Sequence, residues 1–140
     1  MSSDRESLPI TTELSARLLQ PGSKSVAARI HLQYRSTDPY AIEMTIRLRG
    51  EEPITGLFGR DLLDDGLRQE SGVGDVRIAP CPHGPTALLH VTLIDDIGAF
   101  DLEMRLAPVA GFLQLSYLQV PQGTEGSFVL IEDDVSPLVS

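Results

Sequence analysis

Two glycine-containing segments are the first candidates for phosphate binding. Pro21-Gly22-Ser23-Lys24-Ser25 places Lys and Ser after Gly, as phosphate loops do, but Ser23 stands where Gly is needed and the second Gly is missing. Gly72-Val73-Gly74 begins a G-x-G pattern, but Arg77 occupies the third glycine position and a strand, not a helix, is predicted to follow. We interpret the first segment as a hairpin turn and the second as a loop whose glycines adopt positive φ.

Metal-binding and acid–base residues do not form a recognisable constellation. Cys81-Pro82-His83, His31 and His90 lack the paired close spacings of a structural zinc site. The pairs Asp64-Asp65 and Asp95-Asp96 are adjacent in sequence, so their carboxylates point to different sides of a helix or strand. We interpret the histidines as hydrogen-bonded or solvated and the aspartates as turn charges. The sequence therefore predicts no catalytic, metal or cofactor site.

Strict alternation of apolar and polar residues predicts a β-hairpin over Val26–Leu48. Both of its arms keep a period of two, and the turn between them, Ser36-Thr37-Asp38-Pro39, is rich in turn formers. We predict that the inward residues are Ile30, Leu32, Ile42, Met44 and Ile46, and that the outward residues are Arg29, His31, Glu43 and Arg47.

The remaining elements complete a mostly antiparallel sheet with a few helices. Further strands are predicted at Leu14–Leu18, Pro53–Phe58, Asp75–Ala79, Ala87–Ile94 and Ala99–Leu106. A short helix at Arg60–Asp65 should be closed by Gly66 in the left-handed conformation. For Ala107–Gln119 we favour a helix bracketed by Pro108 and Pro121, although Leu113, Leu115 and Tyr117 would also fit a strand.

Length and charge bound the function. The 140 residues suit a single domain spanning 1–140, in which we expect residues 1–9 to be frayed. A net charge of −9 disfavours binding to nucleic acid and to anionic membrane surfaces, because the charges repel each other. The sequence contains no candidate membrane span, no signal peptide and a single cysteine, Cys81, which predicts a cytoplasmic protein.

Four motifs, in order, resemble the SsgA-like proteins of actinomycetes. They are Tyr34…Thr-Asp-Pro-Tyr-Ala-Ile42, Phe58-Gly-Arg-Asp-Leu-Leu-x-x-Gly-Leu67, Gly72-Val-Gly-Asp-Val76 and Val120-Pro-Gln-Gly-Thr-Glu125. The resemblance covers about residues 12–128, nearly the whole chain. The sequence departs from the pattern at Gly59, where the family usually has Ala.

The resemblance implies an α+β fold similar to whirly-type proteins: a curved, mostly antiparallel sheet of about seven strands with two or three helices. It also implies a non-enzymatic, cytoplasmic homotrimer that marks septum sites during sporulation. There it would recruit the tubulin-like protein FtsZ, directly or with sister SsgA-like proteins. The resemblance also implies that the protein uses no cofactor and does not insert directly into a membrane.

The motif residues are either structural or partner-binding. We expect Asp38 to cap a turn, Pro39 to set the hairpin and Tyr40 to fill the core. Gly66, Gly72 and Gly74 should satisfy backbone geometry, and Asp75, in the third motif, is a further structural or partner-binding candidate. Arg60 and Asp61 are predicted to form a structural ion pair, with an exposed docking point as the alternative.

Two other functions compete with this hypothesis. A single-stranded nucleic-acid binder of whirly-like fold would need a basic groove and stacking aromatics, whereas this chain has no Trp and only seven aromatic residues. A small enzyme or metabolite-binding barrel would need a pocket that places His31 or His90 beside carboxylates.

Overall fold

The computed structural model describes residues 8–22, 24–83, 86–94 and 98–128. Residues 1–7 of the segment predicted to be frayed, residues 1–9, lie outside this part of the chain, as do residues 95–97 of the predicted turn at 95–98. The elements are β1 (Ile10–Gln20), β2 (Lys24–Tyr34), β3 (Ala41–Leu48), β4 (Ile54–Gly59), α1 (Arg60–Gly66), β5 (Ser71–Val73), β6 (Val76–His83), β7 (Thr86–Ile94), β8 (Ala99–Arg105) and α2 (Leu106–Gln119). Residues 125–128 are also helical.

The strands form one antiparallel sheet that curls into a half-barrel. Its order is β4-β3-β2-β1-β8-β7-β6-β5, so β1 joins the first hairpins to the last ones and β4 and β5 form the edges. Side chains of α1 and α2 pack against the inner face, where Leu63, Val109 and Phe112 join the core. The predicted α+β fold with a curved antiparallel sheet is confirmed.

The predicted hairpin forms with the expected register. Ile30 pairs with Ile46 and both side chains are fully buried. Arg29 pairs with Arg47 on the opposite face, and both are exposed. The prediction of which residues face the core and which face outward was therefore right. A shift of the register by one residue would have exchanged the two faces.

The sheet has eight strands rather than about seven because Ser71–Val73, predicted as a loop, is a strand. Three residues are too few for a periodic pattern to be visible. The next strand, β6, also runs past its predicted end at Ala79 to His83. Its two prolines, Pro80 and Pro82, are tolerated because β5 pairs only with Val76–Ile78 and so takes no hydrogen bond from the prolines, which lack an N–H.

The glycines of the motifs have different roles from those predicted. Gly74 has φ +60° at the β5–β6 turn, as expected, but Gly66 and Gly72 do not have positive φ. Gly66 is the last residue of α1 and is needed for space: a Cβ there would overlap Cγ2 of Ile78 and lie 2.6 Å from its Cβ. Gly72 lies within β5 beside Arg77.

The ambiguous segment before Pro121 is a helix. Val109, Phe112, Leu113 and Ser116 of α2 are buried, while Leu115 is 51% exposed. A strand would have placed Leu113 and Leu115 on one face, whereas a helix separates them. The helix prediction is therefore confirmed, and α2 has one apolar face in the core and another on the surface.

Candidate functional site

Three of the four motifs meet at one buried arginine. Arg60, the first residue of α1, is only 1% exposed. Around it lie Tyr34 from the first motif, Glu125 from the last, and Ser116 and Tyr117 from α2. We call these five residues the Arg60 junction.

Every side of the guanidinium group except one nitrogen has a partner. Nη1 donates hydrogen bonds to the carbonyl oxygen (3.1 Å) and Oγ (3.3 Å) of Ser116, and Nη2 donates to Oε2 of Glu125 at 2.8 Å. The guanidinium carbon lies 4.8 Å from the ring centre of Tyr34 and 4.4 Å from that of Tyr117. Nε is buried without a partner among the described atoms. The cation is thus held between two aromatic rings and paired at its end, which compensates for its removal from water.

Backbone contacts bring the first motif to the arginine. The N–H of Arg60 donates to the carbonyl oxygen of Tyr40 at 2.7 Å. The hydroxyl of Tyr34 donates to the carbonyl oxygen of buried Pro39 at 3.0 Å. Asp38 forms the turn through its backbone, since its carbonyl oxygen accepts from the N–H of Ala41 at 3.2 Å. The turn before β3 is therefore fixed to the start of α1.

The last motif supplies the counterion. Glu125 is 6% exposed, and its Oε1 accepts a hydrogen bond from the N–H of Gly123 at 2.9 Å. Gly123 has φ +90°, a conformation that favours glycine. The tight turn at Gly123 thus aims the carboxylate back towards Arg60 and fixes the segment after α2 to the start of α1.

The pKa shifts fit a structural junction. Burial raises the pKa of Tyr34 to about 12, against an opposing effect of the Arg60 charge. Burial, together with the hydrogen bond that Tyr117 donates to Asp64 at 2.9 Å, also raises the pKa of Tyr117. Burial alone would raise the pKa of Glu125, but hydrogen bonds from Arg60 and from backbone N–H groups hold it below its usual value. Near neutral pH these groups keep one protonation state, which does not suit proton transfer.

Two predictions about these residues are wrong. Asp61 does not pair with Arg60, because consecutive helix residues point in different directions; Asp61 is exposed and Arg60 is paired with Glu125. Tyr40 does not fill the core but is 53% exposed, and Tyr34 is the tyrosine that is buried. Because Arg60 is buried, it is not an exposed docking point. Asp61 is exposed and remains a candidate for that role.

Sequence reasoning missed the roles of Ser116, Tyr117 and Glu125. A signal for Glu125 was present, since it ends the fourth motif and a buried arginine requires a carboxylate. No comparable signal pointed to Ser116 or Tyr117, which lie in a helix without charged residues.

The other candidate residues have structural explanations. Gly22, with φ +83°, forms the turn between β1 and β2, as predicted for a hairpin. Nε2 of His90 lies 3.0 Å from Oε2 of Glu103, and the two side chains are 33% and 25% exposed. Gly74 and Asp75 form the β5–β6 turn, where the carbonyl oxygen of Asp75 accepts from the N–H of Ile94 at 2.9 Å.

The described residues contain no group of three or more His, Cys, Asp or Glu side chains that could hold a metal ion. Within the same part of the chain, neither helix is long and apolar enough to span a membrane.

Comparison with known proteins agrees with the motif order. Residues 28–125 match the family model described as Streptomyces sporulation and cell division protein, SsgA. The sporulation-specific cell division protein SsgB of Thermobifida fusca is 33% identical over 131 residues, covering 94% of this chain and 95% of the relative. SsgB of Streptomyces coelicolor is 30% identical, covering 94% and 96% of the two chains.

Solved structures show the same fold. The crystal structure of an SsgA-like sporulation-specific cell division protein from Thermobifida fusca superposes with a TM-score of 0.87 at 32% identity, covering 93% of this chain and 95% of that one. A structure from work relating mutations in SsgB to longitudinal cell division in Streptomyces coelicolor superposes with a TM-score of 0.81 at 31% identity, covering 86% and 95%.

Proposed function

The chain belongs to the SsgA family of sporulation and cell division proteins, and we propose that it marks septum sites and helps recruit the tubulin-like protein FtsZ. Its relatives are sporulation-specific cell division proteins, and the chain has a role in sporulation cell division. The family is one of cell division regulators rather than enzymes. Our proposal adds three points to this role: the marking of septum sites, the recruitment of FtsZ and the concentration of the protein at the septum.

The observation that carries the proposal is the burial of the Arg60 junction. Three motif residues with titratable side chains, Tyr34, Arg60 and Glu125, are enclosed and contact one another. Their effect is to hold the β2–β3 turn, α1, α2 and the segment after α2 in one arrangement. This supports a rigid body that acts through its surface, which is how a recruiting protein works.

Nucleic-acid binding has weaker support. Arg29, Arg47 and Arg49 line a shallow depression on the sheet together with Ser15 and Ala27. That depression has no aromatic residue in its lining on which a base could stack. The net charge of −9 opposes the approach of a phosphate backbone.

We propose that the protein acts as a homotrimer, with sister SsgA-like proteins as further partners. The exposed face of α2 supports this assembly, because it presents Leu115 and Leu118, which are 51% and 80% exposed, on a helix without a charged residue. Copies that each carry a charge of −9 repel one another least along such a face. Three copies would bind a polymer with an avidity that one copy lacks.

Co-sedimentation with FtsZ tests the proposal. We expect the protein to pellet with FtsZ polymers formed with GTP and to stay in the supernatant with unpolymerised FtsZ, because avidity requires neighbouring binding sites. Light scattering should give about three times the chain mass of 15.2 kDa.

The test variant is Leu118→Glu, which changes an exposed side chain and should leave the fold intact. We expect it to lower the measured mass and to reduce pelleting. Wild-type protein that remains in the supernatant with polymerised FtsZ would contradict the recruiting role.

A further inference from the structure

The strand β4 is an edge strand without the usual protection. Of the two edges of the sheet, β5 has three residues, while β4 has six and pairs only with β3 among the described strands. Its sequence, Ile-Thr-Gly-Leu-Phe-Gly, contains no charge and no proline. Natural edge strands usually carry such residues to prevent pairing with another chain. The edge of β4 therefore lacks the sequence features that usually prevent pairing with a further strand.

An apolar cleft runs beside this edge. It has a volume of about 190 Å³ and is bounded on one side by Ile54–Leu57 of β4. The other side includes three residues that lie opposite one another on neighbouring strands. Val76 of β6 pairs with Leu93 of β7, and Leu93 pairs with Phe100 of β8. A Cβ on Gly56 would lie 3.8 Å from Cδ1 of Leu93, so the backbone of β4 closely approaches this row.

Exposed apolar residues line the cleft, and acidic residues lie in its lining or next to β4 in sequence. Leu57 and Ile94 line the cleft while being 63% and 43% exposed. The exposed acidic residues are Glu51 and Glu52 just before β4, Asp61 just after it, and Asp75 in the cleft lining. None of these four forms an ion pair within the described part of the chain.

We propose that the edge of β4 and its cleft bind an extended segment of a partner protein. The segment pairs with β4 as an additional strand, and its main-chain groups supply the hydrogen bonds. Apolar side chains on one face of the segment enter the cleft against Val76, Leu93 and Phe100. Lys or Arg residues that flank the apolar core of the segment meet Asp75 in the cleft lining and the acidic residues at the two ends of β4.

A second copy of this chain fits the edge less well. Antiparallel pairing of two β4 strands would bring Glu51 and Glu52 of one copy near Asp61 of the other. Like charges placed opposite each other oppose pairing, and each copy carries a net charge of −9. The charges therefore favour a basic partner over self-association at this edge.

The docking surface rests on the proposed recruiting role for its use in the cell. It deepens that role by naming where a partner binds and the chemistry of that partner. Its test does not involve FtsZ, so failure of the peptide measurement and failure of FtsZ recruitment can be told apart.

The test starts from a phage-displayed library of random peptides of about ten residues, enough for a strand of about six residues with flanking charges. The full-length protein is the bait, and enriched peptides are synthesised with a fluorescent label. We expect the enriched peptides to alternate β-branched or apolar residues between flanking Lys or Arg. Bound peptide should slow hydrogen exchange of β4 amides.

Charge reversal near and far from the cleft locates the site. Asp75→Arg should weaken peptide binding about tenfold, because it replaces an attractive charge in the cleft lining by a repulsive one. The matched control is Glu13→Arg on β1, three strands away from β4, which should leave the affinity unchanged.

Peptides N-methylated on alternate amides test strand pairing itself. One alternate set faces β4 and the other faces away, so methylation of one set should abolish binding and methylation of the other should not. Three results would overturn the proposal: no enriched peptide, equal affinity for wild type and Asp75→Arg, or equal binding of both methylated peptides.

Discussion

Replacing Arg60 with methionine is expected to destabilise the folded protein by about 3–5 kcal/mol, because it leaves the buried Glu125 carboxylate without its counterion. The pair is short, 2.8 Å between Nη2 and Oε2, and both side chains are almost fully buried. The substitution also removes the cation between the rings of Tyr34 and Tyr117. Urea denaturation at neutral pH measures the loss of unfolding free energy.

A matched control is Arg68→Met, which removes an exposed arginine that pairs with Asp64 and Asp65 on α1. Exposed pairs are worth about 0–1 kcal/mol, so this variant should remain close to wild type. The double variant Arg60→Met/Glu125→Gln should cost less than the sum of its single changes, since it removes both charges. An Arg60→Met protein as stable as Arg68→Met would contradict the structural role of the junction.

Acidification gives the same prediction a second readout. The pKa of Glu125 is lowered in the folded state, so its ionic contribution is present above its unfolded pKa and is lost as the pH falls through its folded pKa. The difference in stability between wild type and Arg60→Met should therefore narrow in acid. A difference that stays constant over this range would mean that the charge of Glu125 does not cause it.

Gly66→Ala is expected to destabilise the protein by about 1–3 kcal/mol, the usual cost of forcing extra volume into a packed core. The added Cβ would overlap Cγ2 of Ile78, would lie 2.6 Å from its Cβ and would be 3.3 Å from its carbonyl oxygen. Ile78 is fully buried, so neither its side chain nor its strand can move away easily. Thermal unfolding measures the effect.

Gly59→Ala is the control for this change, because it adds the same methyl group at the other end of α1. Gly59 has φ −71°, and the nearest atoms to a Cβ there are 3.9 Å away. The substitution should leave stability unchanged or raise it by about 0.4–1 kcal/mol. Equal destabilisation by Gly59→Ala and Gly66→Ala would show that space beside Ile78 is not the reason for Gly66.

Local patterns predicted most of the fold. The burial of Ile30 and Ile46 and the exposure of Arg29 and Arg47 follow from alternation alone, because each strand has one face towards the core. The strand β5 was missed because three residues form no pattern. The strand β6 was predicted too short because prolines usually end a strand, whereas here they follow the last residue that pairs with β5. These errors arise where pairing with a neighbouring strand, not composition, decides the structure.

The junction could not be predicted from local patterns, because Arg60 and Glu125 are 65 residues apart in sequence. Both residues belong to the recognised motifs, but the motifs do not show that the two side chains are in contact. The neighbouring Asp61 was therefore predicted, incorrectly, to be the partner of Arg60. Gly66 was assigned to backbone conformation for the same reason: the Ile78 side chain that requires a glycine belongs to β6. Conversely, Tyr40 was predicted to fill the core, whereas only its backbone is used in the contact with Arg60.

The interior and the surface of the protein thus have separate roles in our account. The Arg60 junction fixes the body, and the exposed face of α2 and the edge of β4 are the surfaces proposed for self-assembly and for a partner. Variants of the junction should therefore impair function only to the extent that they unfold the protein, while Asp75→Arg and Leu118→Glu should impair it in a folded protein.

The proposed role as a marker of septum sites is tested most directly by time-lapse fluorescence of the tagged protein and of FtsZ in the same sporulating cells. We predict that the protein forms regularly spaced foci at future septa before FtsZ rings form at those positions. A uniform distribution throughout division, or foci that form only after the FtsZ rings, would contradict the proposal.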